Sequence, residues 1–194
     1  MGRKKIQDER RLQIIQALYA CLLKKPFRET SIKDIAAAAG VNHGVLHYYF
    51  TCKEEILLTF IDHTLQKYKS DFIDHMKSRV SALSAPGDVI AEMFNFANNR
   101  ITLDRKLAKI FIEIWEIGLY DRKVRARLKV LYNEWVQTAQ DTIIRAVGDE
   151  TQARRISKSI VAFLEGMSLL SVLLDQNESE MQQTLEAFQR KIIG

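Results

Sequence analysis

Thr30-Ser31-Ile32-Lys33-Asp34-Ile35-Ala36-Ala37-Ala38-Ala39-Gly40-Val41-Asn42-His43-Gly44-Val45-Leu46-His47-Tyr48-Tyr49-Phe50 is the stretch whose reading decides the fold. Ser31, three residues before Asp34, has the spacing of a helix N-cap whose side chain satisfies the first free amides. The small residues Ala36 to Ala39 let a second helix cross closely, and Gly40 can take the left-handed conformation that ends the first one. Asn42 then caps a second short helix. At the helical step, His43, Gly44, His47 and Tyr48 share a polar arc of that helix, and Val45, Leu46 and Tyr49 a mostly apolar one. Two short helices joined by a tight turn, the second turning hydrogen-bonding rings outward and apolar side chains inward, form a helix-turn-helix over residues 31–50. Such a second helix suits insertion into a major groove.

Outward from this segment the pattern stays helical. Only Pro26 and Pro86 occur in 194 residues, and no alternating apolar run bounded by turn signals marks a strand. The fold class is all-α. A first helix is expected from about Asp8 to Lys25, closed by Pro26, which cannot continue it. Thr51 with Glu54 is read as the cap of a long connecting helix from about Lys53 to Val80, with Lys53 in its first turn, where amides and dipole favour a phosphate. Ser81 to Gly87 reads as a loop. Further helices are expected near 87–103, 105–118, 122–147, 151–175 and 179–192, with Asp121 and Ser179 as N-caps, the latter boxed with Gln182. The chain divides into a helix-turn-helix domain, 1–68, and a helical domain for ligand binding and dimerisation, 69–194.

Charge is unevenly placed. Residues 1–50 hold nine Lys or Arg against four Asp or Glu, whereas the remainder holds twenty of each. A basic module joined to a neutral one is what phosphate neutralisation by a DNA-binding head requires, although a solvated basic face has the same composition. The basic segment from Gly2 to Lys5, with Arg3, Lys4 and Lys5, is read as an arm preceding the first helix that lies in a flanking minor groove or along phosphates. Two cysteines, Cys21 and Cys52, provide neither a disulfide framework nor a zinc spacing, which fits a reducing cytoplasm. The most apolar stretch, Ile160 to Leu174, is interrupted by Glu165 and shorter than a membrane span needs, so no membrane partner is expected.

With these residues in place, the sequence resembles the TetR family of bacterial regulators. Phe27…Thr30-Ser31-Ile32…Asp34-Ile35-Ala36…Ala39-Gly40-Val41, then Gly44-Val45-Leu46-His47-Tyr48-Tyr49-Phe50, then Lys53-Glu54-Glu55-Ile56-Leu57 carry the resemblance. It implies an operator-binding homodimer responsive to a small molecule, with base-edge contacts from His43, Gly44 and His47. It also implies phosphate contacts from Tyr48 and Lys53, and backbone contacts around Thr30, Ser31 and Lys33; Asn42 and Val45 complete the expected DNA-binding set. Asn42, His43, His47 and Tyr49 depart from the residues common in the family, and the departures at 43 and 47 bear on which operator is read.

Phe111-Ile112-Glu113-Ile114-Trp115-Glu116…Asp121…Val124-Arg125-Ala126-Arg127-Leu128…Leu131-Tyr132…Trp135 resembles the ligand-binding half of the subgroup that includes the choline-responsive betaine-pathway repressors. The resemblance places an effector pocket among the middle helices, where Met93, Phe94, Phe96, Phe111, Trp115, Tyr120 and Trp135 lie, with Glu113 or Glu116 available to a cationic ligand. The competing reading of the same residues is core packing for the aromatics and an ordinary ion pair or solvent for Glu113. Between Ile156 and Leu174 the apolar residues cover more than one helix face. Ile160, Phe163, Leu164, Met167, Leu170 and Leu174, with Leu185 and Phe188 of the last helix, are expected at a symmetric dimer interface, intrachain core being the alternative.

Other chemistries find little support. His43 and His47 stand four apart near Cys52, a chelating spacing, but lack a local third ligand, and the groove-facing role already accounts for them. No metal and no cofactor is expected. Glu113 and Glu116 are the only pair suggesting acid–base catalysis, and no nucleophile elbow, phosphate loop or cofactor fingerprint accompanies them. The remaining alternative is an architectural helical protein that coats DNA without sequence preference.

Overall fold

The computed structural model describes residues 2–79, 85–97, 100 and 104–193, with the backbone alone for 2–4, 146, 192 and 193. Every regular element among them is helical: α1 (Gly2–Leu22), α2 (Ile32–Ala38), α3 (His43–Tyr49), α4 (Lys53–Arg79), α5 (Pro86–Ala97), α6 (Arg105–Tyr120), α7 (Arg122–Val147), α8 (Glu150–Leu173) and α9 (Glu178–Ile193), with a 3₁₀ turn at Phe27–Glu29. The all-α expectation and the helix-turn-helix joined by a long helix to a larger helical domain are met. The chain forms two compact units: residues 1–65 with 113–128, and residues 66–112 with 129–194. Residues of α4, α6 and α7 therefore occur in both.

In the first unit, Ile14, Leu18 and Leu22 of α1, Ile35 and Ala36 of α2, Leu46 of α3, Phe50, and Ile56, Leu57, Phe60 and Ile61 of α4 are all buried. Ala36 and Ala39 are buried while Ala37 and Ala38 face solvent, so two of the four alanines make the close crossing. In the second unit the core joins Phe72 and Met76 of α4 to Val89, Ile90, Met93, Phe94 and Phe96 of α5, Ala139 and Ile143 of α7, Ala153 and Ile160 of α8, and Leu185 of α9.

Several boundaries differ from the sequence expectation. Helix α1 begins at Gly2, so Gly2 to Lys5 continue the helix rather than form an arm before it. It ends at Leu22, three residues ahead of the expected Lys25, and Lys24 and Lys25 close a turn on the Cys21 carbonyl ahead of Pro26. The cap of α4 pairs Thr51 with Glu55, not Glu54: the Thr51 amide and hydroxyl both donate to Glu55 Oε2 at 2.8 Å, which holds that carboxyl below its ordinary pKa. For α9 the cap is Asn177 rather than Ser179. Its Oδ1 accepts from the Glu180 amide at 2.9 Å while Glu180 accepts from the Asn177 amide at 3.2 Å, a box set two residues earlier. Asp121 caps α7 as expected. The loop expected from Ser81 lies outside the described residues up to 84, and α5 starts one residue early, at Pro86.

Helix α8 corrects a further reading. It is long and apolar enough to cross a membrane by length and composition, because the helix extends well ahead of Ile160 and one charge such as Glu165 does not cancel the apolar side chains around it. One such helix also arises in a protein that buries it against other helices.

Candidate nucleic-acid interface

The helix-turn-helix is held by hydrogen bonds that its sequence specifies. Ser31 Oγ accepts from the Asp34 amide at 3.2 Å, and Asp34 Oδ2 accepts from the Ser31 amide at 2.8 Å, a complete capping box for α2. The Lys25 ammonium, 2.8 Å from Asp34 Oδ2, together with the Ser31 donors holds the Asp34 carboxyl well below the usual carboxylate range. Gly40 has φ +63°, the left-handed region a side chain disfavours, and the chain turns there into α3. Asn42 Oδ1 accepts from the Val45 amide at 2.8 Å and caps α3. Across the turn, Gln13 Nε2 donates to the Ala39 carbonyl at 2.6 Å, and Arg11 donates to the Tyr49 carbonyl with its guanidinium 4.0 Å from the Phe50 ring centre. Helix α1 thus braces both ends of the pair.

On α3 the inward anchor is Leu46, fully buried. His43, Gly44, His47 and Tyr48 are exposed, Tyr48 by 67%, and the two imidazoles meet edge to face at 4.5 Å between centres. Val45, placed by periodicity on the apolar arc, is exposed as well, which joins it to the outward face. Tyr49 is half-buried with its ring edge-on to Tyr48. Lys33 is exposed on α2. Thr30 is 1% exposed and donates its hydroxyl to the Pro26 carbonyl, so its side chain belongs to the fold. Lys5 is exposed; the side chains of Arg3 and Lys4 lie outside the described ones.

Lys53 has a structural task that its sequence position did not announce. Its ammonium donates to the carbonyls of Phe27 at 2.9 Å and Thr30 at 3.0 Å, lies 3.5 Å from that of Arg28, and sits 4.6 Å from the Phe27 ring centre. At the other end of the same 3₁₀ turn, the Glu113 carboxylate accepts from the Phe27 amide. Opposite charges therefore grip the two ends of the turn that leads into α2, each against the backbone group it complements.

The other residues read as a pocket separate into the two units. Glu113, Trp115 and Tyr120 belong to the first, with Tyr120 85% exposed; Met93, Phe94, Phe96, Phe111 and Trp135 belong to the second. There, Phe72 meets Phe96 and Trp135 edge to face at 5.4 and 5.3 Å, and Phe94 meets Phe188 at 5.8 Å. Of the residues read as a dimer interface, Ile160, Met167 and Leu185 are buried within the chain, and Phe163 stacks on Phe188 at 3.7 Å. Leu170 and Leu174 are exposed, as is Leu173 between them. Among the described residues no cluster of three His, Cys, Asp or Glu side chains forms a metal site.

One residue that the sequence reading passed over as a pocket group is Glu165. Glu165 is half-buried in the second unit, and the partial loss of water around its carboxyl pushes its pKa up to about 7 against the opposing effect of a hydrogen bond with Tyr132. Its signal in the sequence is that it is the sole charged residue between Ile160 and Leu174.

Residues 14–59 match the family described as bacterial regulatory proteins, tetR family, and residues 93–194 match the BetI-type transcriptional repressor, C-terminal. The chain belongs to the TetR family. This TetR-family protein is a helix-turn-helix DNA-binding regulator and not an enzyme. It is 22% identical to the HTH-type transcriptional regulator BetI 1 of Chromohalobacter salexigens over 172 residues, 88% of this chain and 83% of that one. To EthR of Mycolicibacterium smegmatis it is 32% identical over 71 residues, 37% of this chain and 33% of EthR. Its fold is that of a TetR transcription regulator from Haloarcula marismortui, with TM-score 0.78 at 18% identity, covering 96% of this chain and 97% of the other. It is also that of a regulator from Saccharomonospora viridis solved in complex with choline, with TM-score 0.76 at 19% identity, covering 93% and 95%.

Proposed function

We propose that this chain is a cytoplasmic repressor that binds a palindromic operator as a homodimer and is released by a small organic cation. The observation that carries the reading is α3: a capped helix anchored by one buried leucine, with His43, Gly44, Val45, His47 and Tyr48 all turned to solvent. A helix that offers rings and bare backbone outward fits a major groove, where imidazole and phenol groups reach base edges and phosphates. Lys33, Lys5 and the α4 amides flank it for the backbone, and two-fold repetition of the head calls for two half-sites.

The effector reading rests on the second unit. Glu165, hydrogen-bonded with Tyr132, provides a half-buried carboxyl in the same unit as a core rich in aromatic rings, and a carboxylate with aromatic rings is the combination that attracts a cation poor in hydrogen-bond donors. The C-terminal likeness to BetI-type repressors and the choline held by the Saccharomonospora viridis regulator support the same class. Glu113, engaged by the Phe27 amide in the first unit, then transmits rather than binds. Ligation shifts the population of dimer shapes through α4, α6 and α7, changing the separation of the reading heads. The experiment is selection of bound sequences from random DNA by the full chain, with and without millimolar choline. Recovery of a two-fold symmetric site whose enrichment drops with choline supports the reading. Enrichment of no sequence indicates an architectural protein, and a site indifferent to choline removes that cation.

A further inference from the structure

Helix α7 opens with Asp121-Arg122-Lys123-Val124-Arg125-Ala126-Arg127, four basic residues in six. Two of them have intramolecular work: Arg125 donates to the carbonyls of Gly118 and Leu119 at the end of α6, and Arg127 pairs with Asp62 of α4. Arg122 and Lys123 are exposed, and among the described residues neither side chain has a hydrogen bond or ion pair. Their location is specific. A cleft of about 410 Å³ in the first unit is lined by Cys52, Glu54 and Leu58 of the α4 entrance and by Asp121, Arg122, Lys123 and Val124. The α4 entrance follows the reading helix by three residues, so the two cations stand beside the chain that leaves α3. Asp121 uses one carboxylate oxygen to cap the Lys123 and Val124 amides at 2.7 and 2.9 Å. Glu54, exposed in the same cleft, is the opposing charge.

We infer that Arg122 and Lys123 form a second contact with the DNA backbone, outside the helix-turn-helix, extending the phosphate-binding edge of the head from the α4 entrance onto the α7 entrance. This rests on the DNA-binding reading above. Two exposed cations with no partner among the described residues cost little to bring to a phosphate, and each phosphate neutralised releases condensed counterions. The contact adds affinity and fixes orientation without carrying sequence information.

The test uses the full chain and the DNA it selects, comparing Arg122→Gln/Lys123→Gln with a control of equal charge change, Lys106→Gln/Lys109→Gln, exposed residues of the second unit. The α7 double variant should lose about tenfold or more in affinity at low salt. Its plot of log affinity against log salt should flatten by about two, with the selected sequence unchanged. Phosphate-ethylation interference should disappear at positions outside those protected by α3. Glu54→Gln should tighten binding. The control should leave slope and footprint in place. Equal slopes for the two double variants, or an unchanged ethylation footprint, overturn the inference while leaving the regulator reading intact; a wild-type chain that selects no DNA overturns both.

Discussion

Gly44 lies in the first turn of α3, where a Cβ would meet only Asn42 Oδ1, at an ordinary 3.5 Å, so the fold has no steric need for glycine there. Helical glycine costs up to about 1 kcal/mol relative to alanine, and a residue kept against that cost on an outward face is explained by backbone approaching DNA. Gly44→Ala should therefore raise the thermal midpoint yet weaken operator binding in the same preparation. Three residues on, His47→Ala should lower discrimination between operator and scrambled DNA by about 1–3 kcal/mol, measured as a ratio of affinities at one salt concentration. Equal loss on both DNAs would place the ring off the bases. Glu165 gives a pH signature. Its folded pKa of about 7 exceeds the ordinary value of 4.5, so the folded state holds the proton more tightly. That contribution is complete below about 4.5 and is lost as pH rises through about 7, up to about 3 kcal/mol. Wild-type stability in denaturant should fall over this window and that of Glu165→Gln should stay nearly level. A cation needs the ionised carboxylate, so choline binding should strengthen over the same range and be lost in Glu165→Gln.

At the scale of elements, what the sequence revealed is what local chemistry dictates. Ser31, Asp34, Gly40, Asn42 and Asp121 act within three residues of themselves, and each cap or turn falls where its residue stands. The α9 cap falls two residues from its expected place because Asn177-Glu178-Ser179-Glu180 contains two capping candidates of like chemistry, between which the local sequence does not choose. Lys53 and Glu113 were illegible for a different reason: their partners lie 26 and 86 residues away on the 3₁₀ turn, and no local spacing encodes such a meeting. The clamp makes a prediction that departs from a pure phosphate contact. Lys53→Ala should lower stability by about 1–2 kcal/mol as charged donors leave the Phe27 and Thr30 carbonyls, besides weakening operator and scrambled DNA alike. Hydrogen exchange should show faster opening in the turn and α2. Unchanged exchange with a reduced salt slope would assign Lys53 to the phosphate alone.

Over the whole molecule, the apolar excess of α8 is divided between two destinations that the sequence could not separate. Ile160 and Met167 face the chain's own core, whereas Leu170, Leu173 and Leu174, exposed by 43, 63 and 62%, fall at steps of three and four on one face. Periodicity marks all of them as apolar; only the fold shows which are already covered. Three leucines left in water near the end of a helix are a poor surface for a free monomer, and a second copy related by a two-fold axis would cover them with their own likeness. Leu170→Asp is the decisive change, because a side chain that is 43% exposed can carry a charge without unfolding the subunit, whereas the same charge facing its symmetry mate would stand unpaired in an apolar contact. The variant should sediment as a folded monomer and keep a helical circular dichroism spectrum. It should bind the full palindrome no better than a single half-site, since linking two heads is what multiplies their affinity. Leu173→Asp, on the more exposed neighbour, guards against misfolding: a monomer from either substitution serves the measurement. Dimers that persist in both, with tight palindrome binding, would move the interface away from the end of α8.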